Sequence, residues 1–489
     1  MYIKFSKINK PYIHIIRGEK IMKDITILDV LDKCNGKLVC GNKNSICDNF
    51  KTDTRKIEKD DTFVGIKGEK FDGNALYEKA LEKGANTCIL QDVSIDKEVL
   101  KKYQDRNIII VRDTIDAIGK LAKYKRSLFN IPVIGITGSV GKTSTKDIIA
   151  SVVSKKYNTL KTEGNLNSDI GLPLTLLRLK ENHEAAVIEM GMNHKGEIEY
   201  LSNIANPTIS VITNIGSSHI GNLGSRENIL KAKLEILKGM KDGGIFIYNN
   251  DNDMLFNNKD LFDKYESLNF GIENKSDIMA RNIVTNTQGS IFDINIENRE
   301  TDIKVEVPIS GKHFVYNSLC AITVGLALDI NMCDIISGIK EFSLTKNRME
   351  VKNLKDDIIV INDSYNASYD SMKAALEYLG GFNDKYKIAV LGDMLELGEF
   401  SDELHFNVGK CVYENKIDLL ITVGSNSKKI ADGACSKGML KENVYSVDNN
   451  EEAIKLLNKV IVSNSAILLK ASNSMNFNEL YNNILKKLS

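Results

Sequence analysis

Short apolar runs separated by amphipathic stretches dominate the chain. From Met22 to about residue 128, runs at 62–66, Thr87–Leu90 and 108–111 alternate with helical periodicity such as that of 74–83, the pattern of a small α/β unit. Thr26 is placed as an N-cap where a short strand enters a helix, so this unit is expected to begin near Met22. A buried-type strand at 131–137 then runs into a glycine-rich turn and a helix over 142–155, followed by continuous apolar strands at Ala185–Glu189, 209–214 and 244–248. Residues 272–307 read as a β-rich extension, and 311–330 as a helix that closes this second unit. A third unit starts near Leu344, with strands at 358–361, 387–391, Leu419–Val423 and 466–470 between helices near 369–379, 401–414, 450–462 and 477–487. The expected fold class is α/β in three domains. These are a small N-terminal α/β domain (22–128), a central P-loop-type domain with a mostly parallel sheet (129–343) and a Rossmann-like C-terminal domain (344–489). The third has no GxGxxG, so nothing places a dinucleotide there.

At 489 residues the chain is long enough for three such cores. Lys plus Arg and Asp plus Glu both number 65, so no net field draws the protein to nucleic acid, and any polyanion must be held by local groups. The 8 cysteines are scattered without a CxxC pair, which argues for reduced thiols and against a disulfide framework or a zinc site. The longest apolar run, 314–328, contains Asn317 and Ser318 and falls short of a membrane span, so a cytoplasmic protein without membrane insertion is expected. Residues 1–21 lack a clear period, and Lys4, Lys7, Lys10 and Arg17 interrupt every apolar stretch. They read either as a translated leader ahead of a start at Met22 or as a basic disordered arm.

The chemistry concentrates first in Thr137-Gly138-Ser139-Val140-Gly141-Lys142-Thr143-Ser144, between a strand and a helix. Glycines there let backbone N–H groups approach phosphate oxygens, and the helix N-terminus adds positive potential. Lys142 is expected to reach the β and γ phosphates, and the Thr143 hydroxyl suits Mg²⁺. The GxxxxGK[ST] spacing fails by one residue, since Ile136 stands where the first glycine belongs, but the strand–turn–helix context supplies the missing support.

This variant loop resembles that of the ATP-dependent muramyl ligase and folylpolyglutamate synthase superfamily. The resemblance extends through Thr162-Glu163-Gly164-Asn165-Leu166-Asn167, Glu189-Met190-Gly191-Met192, Thr213-Asn214-Ile215-Gly216 with His219, and Lys231-Ala232-Lys233-Leu234-Glu235. Asp363-Ser364-Tyr365-Asn366-Ala367 and Leu391-Gly392-Asp393-Met394-Leu395-Glu396-Leu397-Gly398 with His405 are similar to the branch that adds D-alanyl-D-alanine. Asp53-Thr54-Arg55-Lys56 and Phe71-Asp72-Gly73-Asn74 resemble the uridine-nucleotide-gripping domain, with Thr54 and Asn74 where serine and histidine are usual. Two further departures are Phe314 for an asparagine, and Lys470-Ala471-Ser472-Asn473 for Lys-Gly-Ser-Arg, which puts acceptor affinity in question.

The resemblance implies an acid–amino-acid ligase that joins UDP-N-acetylmuramoyl-tripeptide to D-alanyl-D-alanine through an acyl phosphate, using ATP and Mg²⁺ at two sites, and working as a monomer. It implies a nucleotide cradle of Gly138, Ser139, Val140, Gly141, Lys142, Thr143 and Ser144, with Asn317, Arg348 and Asp363 toward adenine, γ-phosphate and ribose. Arg348, in the link to the third domain, is expected to reach the phosphates only on closure around substrates. Thr143, Glu189, His219 and Lys233 are the implied metal ligands, Lys233 as an N-carbamate that turns a cation into an anionic ligand. Thr54, Arg55, Asn165 and Asn167 are the implied substrate contacts. Without the resemblance, Glu189 is an ion-paired or capping carboxylate, His219 a loop histidine, and Lys231 and Lys233 a solvated helix face. A ligase of the same superfamily with another acceptor, or a ligase-like subunit without catalysis, are the alternatives.

Overall fold

The computed structural model describes residues 24–297 and 299–488, so the expected leader at 1–21 lies outside the described residues. Three α/β units follow one another, each built on its own sheet. In the first, five strands lie in the order Lys37–Cys40, Asn107–Ile110, Thr87–Leu90, Thr62–Val64, Phe50–Lys51, parallel except for the first pair. Thr26 caps the helix Ile27–Cys34 reciprocally: Asp29 N donates to its Oγ1 at 3.3 Å, and its own N donates to Asp29 Oδ2 at 2.8 Å. The helix expected over 74–83 is corrected to a 3-10 turn, Gly73–Leu76, followed by Tyr77–Glu82. Asp72 accepts from Asn74 N at 2.9 Å and from Asn74 Nδ2 at 2.7 Å, which tightens that first turn.

The helix Thr114–Ser127 leads into the second unit, and its penultimate residue joins the two. Arg126 is buried and donates from Nε to Ala205 O (2.9 Å) and from Nη2 to Asn206 O (3.2 Å), while burial pulls its guanidinium down to about 10. Arg126→Met would leave these buried carbonyls unpaired, and each such group costs roughly 1–3 kcal/mol. Calorimetry is expected to show an unfolding midpoint several degrees lower, with turnover at room temperature retained; an unchanged midpoint would show that the contact carries no load.

The central sheet has nine strands, ordered Arg299–Val307, Gly289–Ile296, Ile278–Asn286, Ser267–Gly271, Ile245–Asn249, Ile209–Ile212, Val133–Thr137, Ala185–Glu189, Thr159–Lys161. The last three to enter this list flank one another in parallel, and Val133–Thr137 sits between Ala185–Glu189 and Ile209–Ile212. The connection leaving Val133–Thr137 runs to one side, and the one leaving Ala185–Glu189 crosses to the other, which opens a crevice at these strands' carboxyl ends. The β-rich extension is the antiparallel trio Ile278–Asn286, Gly289–Ile296 and Arg299–Val307. Helix Lys312–Ala327, buried along almost its whole length, packs against the helix Lys142–Val153 that starts at the glycine-rich turn.

The third sheet runs Glu350–Asn353, Ile359–Asn362, Ser465–Lys470, Tyr386–Gly392, Leu419–Val423, Val444–Val447, antiparallel only at its first pair. Among the described residues no helix is long and apolar enough to cross a membrane.

Candidate active site

The glycine-rich turn is shaped by its neighbour strand. Gly138 has φ +152°, and a Cβ there would lie 1.9 Å from Thr213 Oγ1; Gly141, at φ +79°, starts the helix in a conformation that favours glycine. Asn214 then pins the turn, accepting from Ser139 N at its carbonyl and from Val140 N at Oδ1, both at 3.0 Å. The Thr213-Asn214-Ile215-Gly216 motif is thus the wall against which the cradle is built. Within the turn, Lys142 Nζ donates to Gly138 O at 2.8 Å and to Ser139 O at 3.4 Å. Burial lowers its pKa, Arg348 adds to that and Glu189 opposes it.

A cavity of about 730 Å³ opens above this turn between the central and third units. It is lined by six of the seven cradle residues, Ser139 to Ser144 but not Gly138, and by Thr145, Asn167, Glu189, His219, Asn317, Arg348 and Asp363. Asn317 also accepts from Thr145 Oγ1 at 3.0 Å. Glu189 ends its strand 1% exposed; Oε1 accepts from Asn167 Nδ2 at 2.7 Å, and Oε2 is buried with no partner among the described residues. A buried carboxylate oxygen left unpaired is costly unless a cation or donor completes it. Asn167 therefore serves Glu189, whereas Asn165 is exposed and does not line the cavity.

Lys233 is 1% exposed on the helix Arg226–Leu234, while Lys231 on the same helix is exposed. Burial, then the charge of Lys142, push Lys233 well below the ordinary lysine value, which favours the neutral amine. This removes the solvated-face alternative for Lys233 and keeps it for Lys231. His219 has φ +64° and is held through Nδ1 by Glu396 Oε2 at 2.7 Å, leaving Nε2 for another partner. Among the described residues no three His, Cys, Asp or Glu side chains converge, so a divalent ion here would need oxygens from a bound phosphate as well. The unpartnered Glu189 oxygen and the Thr143 hydroxyl at the cavity wall fit such an ion, while Lys233 is not among the residues that line the cavity.

The third unit supplies the rest of the cavity wall, with Arg348, Asp363, Tyr365, Asp370 and Lys470 among its lining residues. Arg348 stands at the cradle: Nη2 donates to Thr143 Oγ1 at 3.0 Å, and the guanidinium lies 3.7 Å over the Tyr365 ring. Its Nε is buried and unpartnered among the described residues. The linker is tied down just before it, where Thr345 N and Oγ1 both donate to Asp147 Oδ2, at 2.9 and 2.8 Å, on the helix that carries the cradle. Both oxygens of Asp363 are engaged, Oδ1 by Met349 N at 3.1 Å and Oδ2 by the buried Lys470 at 2.5 Å. Asp370 accepts from Ser217 N at 3.0 Å and closes the rim on the opposite side. Thr54, buried, and Arg55, exposed and paired with Asp53 at 2.9 Å, belong to the first unit and are not part of this cavity.

Comparison with known proteins fits this arrangement. The family descriptions "Mur ligase family, catalytic domain", "Mur ligase middle domain" and "Mur ligase, glutamate ligase domain" match residues 48–126, 136–325 and 347–473 in turn. The UDP-N-acetylmuramoyl-tripeptide--D-alanyl-D-alanine ligase of Bacillus subtilis is 38% identical over 439 residues, spanning 89% of this chain and 92% of its own. The chain belongs to the Mur ligase family. A crystal structure of MurF from Acinetobacter baumannii matches this Mur ligase with a TM-score of 0.84 at 29% identity, covering 95% of this chain and 99% of that one. The MurF ligase of Thermotoga maritima, solved in complex with ADP, matches with a TM-score of 0.77 at 27% identity over 90% of this chain and 97% of that one. The expected α/β, three-unit fold class agrees with these structures. What the sequence reading of this Mur ligase missed is the set of supporting residues: Lys470, Tyr365, Asp370 and Glu396. All four stand inside or beside motifs that were noticed, but only the tertiary contacts give them work.

Proposed function

We propose that this Mur ligase joins the free carboxyl of UDP-N-acetylmuramoyl-tripeptide to the amine of D-alanyl-D-alanine, cleaving ATP to ADP and phosphate, in the cytoplasmic assembly of peptidoglycan precursors. The observation that carries the reading is the coincidence, in one cavity, of a phosphate cradle and a buried carboxylate with an unpaired oxygen. A carboxylate is a poor electrophile, so the reaction proceeds in two transfers. A carboxylate oxygen of the tripeptide attacks the γ-phosphorus and ADP leaves, forming an acyl phosphate. The acceptor amine then attacks the carbonyl carbon, phosphate leaves, and the amine gives up a proton.

The first transfer brings anions together, and the chain's own cations meet that charge. Lys142 leaves the two carbonyls it now holds for phosphate oxygens, and Arg348 is already poised beside Thr143. The backbone from Gly138 to Ser144 cradles the phosphates, Asn317 faces adenine and Asp363 the ribose. Thr143, Glu189, His219 through Nε2 and Lys233 as an N-carbamate would hold Mg²⁺, at two sites, which when bound neutralises phosphate charge. Neutral amines, not ammonium ions, react with CO₂, and burial supplies that state at Lys233. Thr54 and Arg55 are the uridine-side residues of the first unit, residues 22–128, with Asn165 toward the sugar or peptide. The third unit, from residue 344, delivers the acceptor, and the protein acts as a monomer.

Phosphate release measured with UDP-muramoyl-tripeptides ending in diaminopimelate or lysine tests this reading. Sustained release is expected only when ATP, one of these tripeptides and D-alanyl-D-alanine are all present. Equal release with a single amino acid in place of the dipeptide would overturn the acceptor assignment, and release indifferent to the tripeptide would overturn the ligase assignment.

A further inference from the structure

Two residues with full side chains stand in the left-handed region and face each other across the boundary between the central and third units. His219 has φ +64° and Glu396 φ +63°, a backbone state that such residues keep only where the surroundings enforce it. Their contact is the 2.7 Å bond between His219 Nδ1 and Glu396 Oε2. A carboxylate only accepts, so Nδ1 carries a proton, and in the neutral ring the lone pair is then on Nε2.

The loop that presents Glu396 is held from several sides. Met394 N donates to Nε2 of the buried His405 at 2.9 Å, and His405 Nδ1 donates to Ser401 O at 2.7 Å. Leu395 N donates to Ser472 Oγ at 2.9 Å. Across the boundary Gly221 N donates to Glu396 O at 3.2 Å, an approach so close that a Cβ on Gly221 would lie 2.7 Å from that oxygen. A surface ion pair formed by chance needs none of this scaffolding, since long side chains find each other from relaxed backbones.

We propose that Glu396 is a positioning residue: it fixes the ring orientation and tautomer of His219 so that Nε2 points as a ligand, and it does so from the third unit, so the central unit's histidine is competent only when the two units are docked. The inference rests on reading His219 as a metal ligand. Outer partners of this kind commonly change metal affinity by about 10–100-fold when removed.

The test is Mn²⁺ binding to the whole protein with a non-hydrolysable ATP analogue, followed by the electron paramagnetic resonance of the free ion, beside the Mg²⁺ dependence of turnover. Glu396→Ala is expected to raise the half-saturating concentration of either ion about tenfold or more, with the unfolding midpoint unmoved. Glu396→Gln, whose amide oxygen still accepts from Nδ1, should stay within about threefold of the parent, whereas Glu396→Asp, too short to reach, should resemble Glu396→Ala. His219→Ala should match Glu396→Ala, and the double variant should be no worse than either. If His219→Ala weakens Mn²⁺ binding and Glu396→Ala does not, the positioning role is overturned and the metal-ligand reading survives. If neither substitution changes binding, both fall. Equal damage from Glu396→Gln and Glu396→Ala would make the charge, rather than the fixed geometry, the active element and overturn the proposal.

Discussion

Lys142→Met is expected to reduce turnover by at least a hundredfold while leaving the unfolding midpoint almost unchanged. Lys142 is a side-chain cation built into the cradle, and removing one preorganised charge or donor from a transferring group typically costs about 10²–10³ in rate. Stability should not follow, because the same side chain is buried at a cost: burial lowers its pKa, and its contacts are two backbone carbonyls rather than a carboxylate. Methionine keeps the apolar stem and removes that cost. Steady-state kinetics with calorimetry on the same preparation checks both halves. Turnover above about a tenth of the parent's would remove Lys142 from the phosphate transfer.

Lys233 gives the second large effect, and here stability is expected to move as well. Its folded pKa lies well below 10.5, so between the two values the unfolded chain binds a proton that the folded chain does not. Stability at this site therefore falls as pH drops from 10.5 toward the folded value, by about 1.4 kcal/mol per unit. Lys233→Met removes that cost. In bicarbonate-free buffer it is expected to unfold at a higher temperature than the parent at neutral pH, with the gap narrowing as the pH rises toward about 10, while ligation is nearly abolished. Lys231→Ala, on the exposed face, should leave both properties near normal. In Lys233→Ala, formate or acetate should restore part of the rate by entering the vacated space as an anionic ligand, and chloride should not. Equal damage from the two lysine substitutions, or a Lys233→Met protein less stable at neutral pH, would return Lys233 to an ordinary helix lysine.

How far the sequence could be read depended on whether a residue's role is local. The strand Val133–Thr137, the turn after it and the helix Lys142–Val153 were legible because period, glycine and helix start all lie within about twenty residues of one another. Helix Lys428–Lys437 and edge strand Val444–Val447 were not: the helix contains Gly433, and the strand is half exposed and only four residues long. That glycine makes sense only in three dimensions, since a Cβ there would meet Phe406 O at 2.0 Å where two helices touch. The site shows the same division. Glu189 and His219 were legible as motif members, but Glu396 acquires its meaning from a residue 177 positions away in the chain. Asn167 also holds Glu189, a contact that could not be read from its spacing. Lys470 was noticed only for the arginine missing three residues later, although it is the buried cation that fixes Asp363.

The tie between Thr345 and Asp147 makes the third unit a lever with its fulcrum beside the phosphates. Asp147 is four residues along the helix from Thr143, which at 1.5 Å per residue is about 6 Å of axis. Any swing of the third unit about that point carries its far strand, Val444–Val447, through a wide arc and moves Arg348 very little. A swing of that kind would have to part Glu396 from His219 and Asp370 from Ser217, which also tie the two units, while the Thr345 hinge holds.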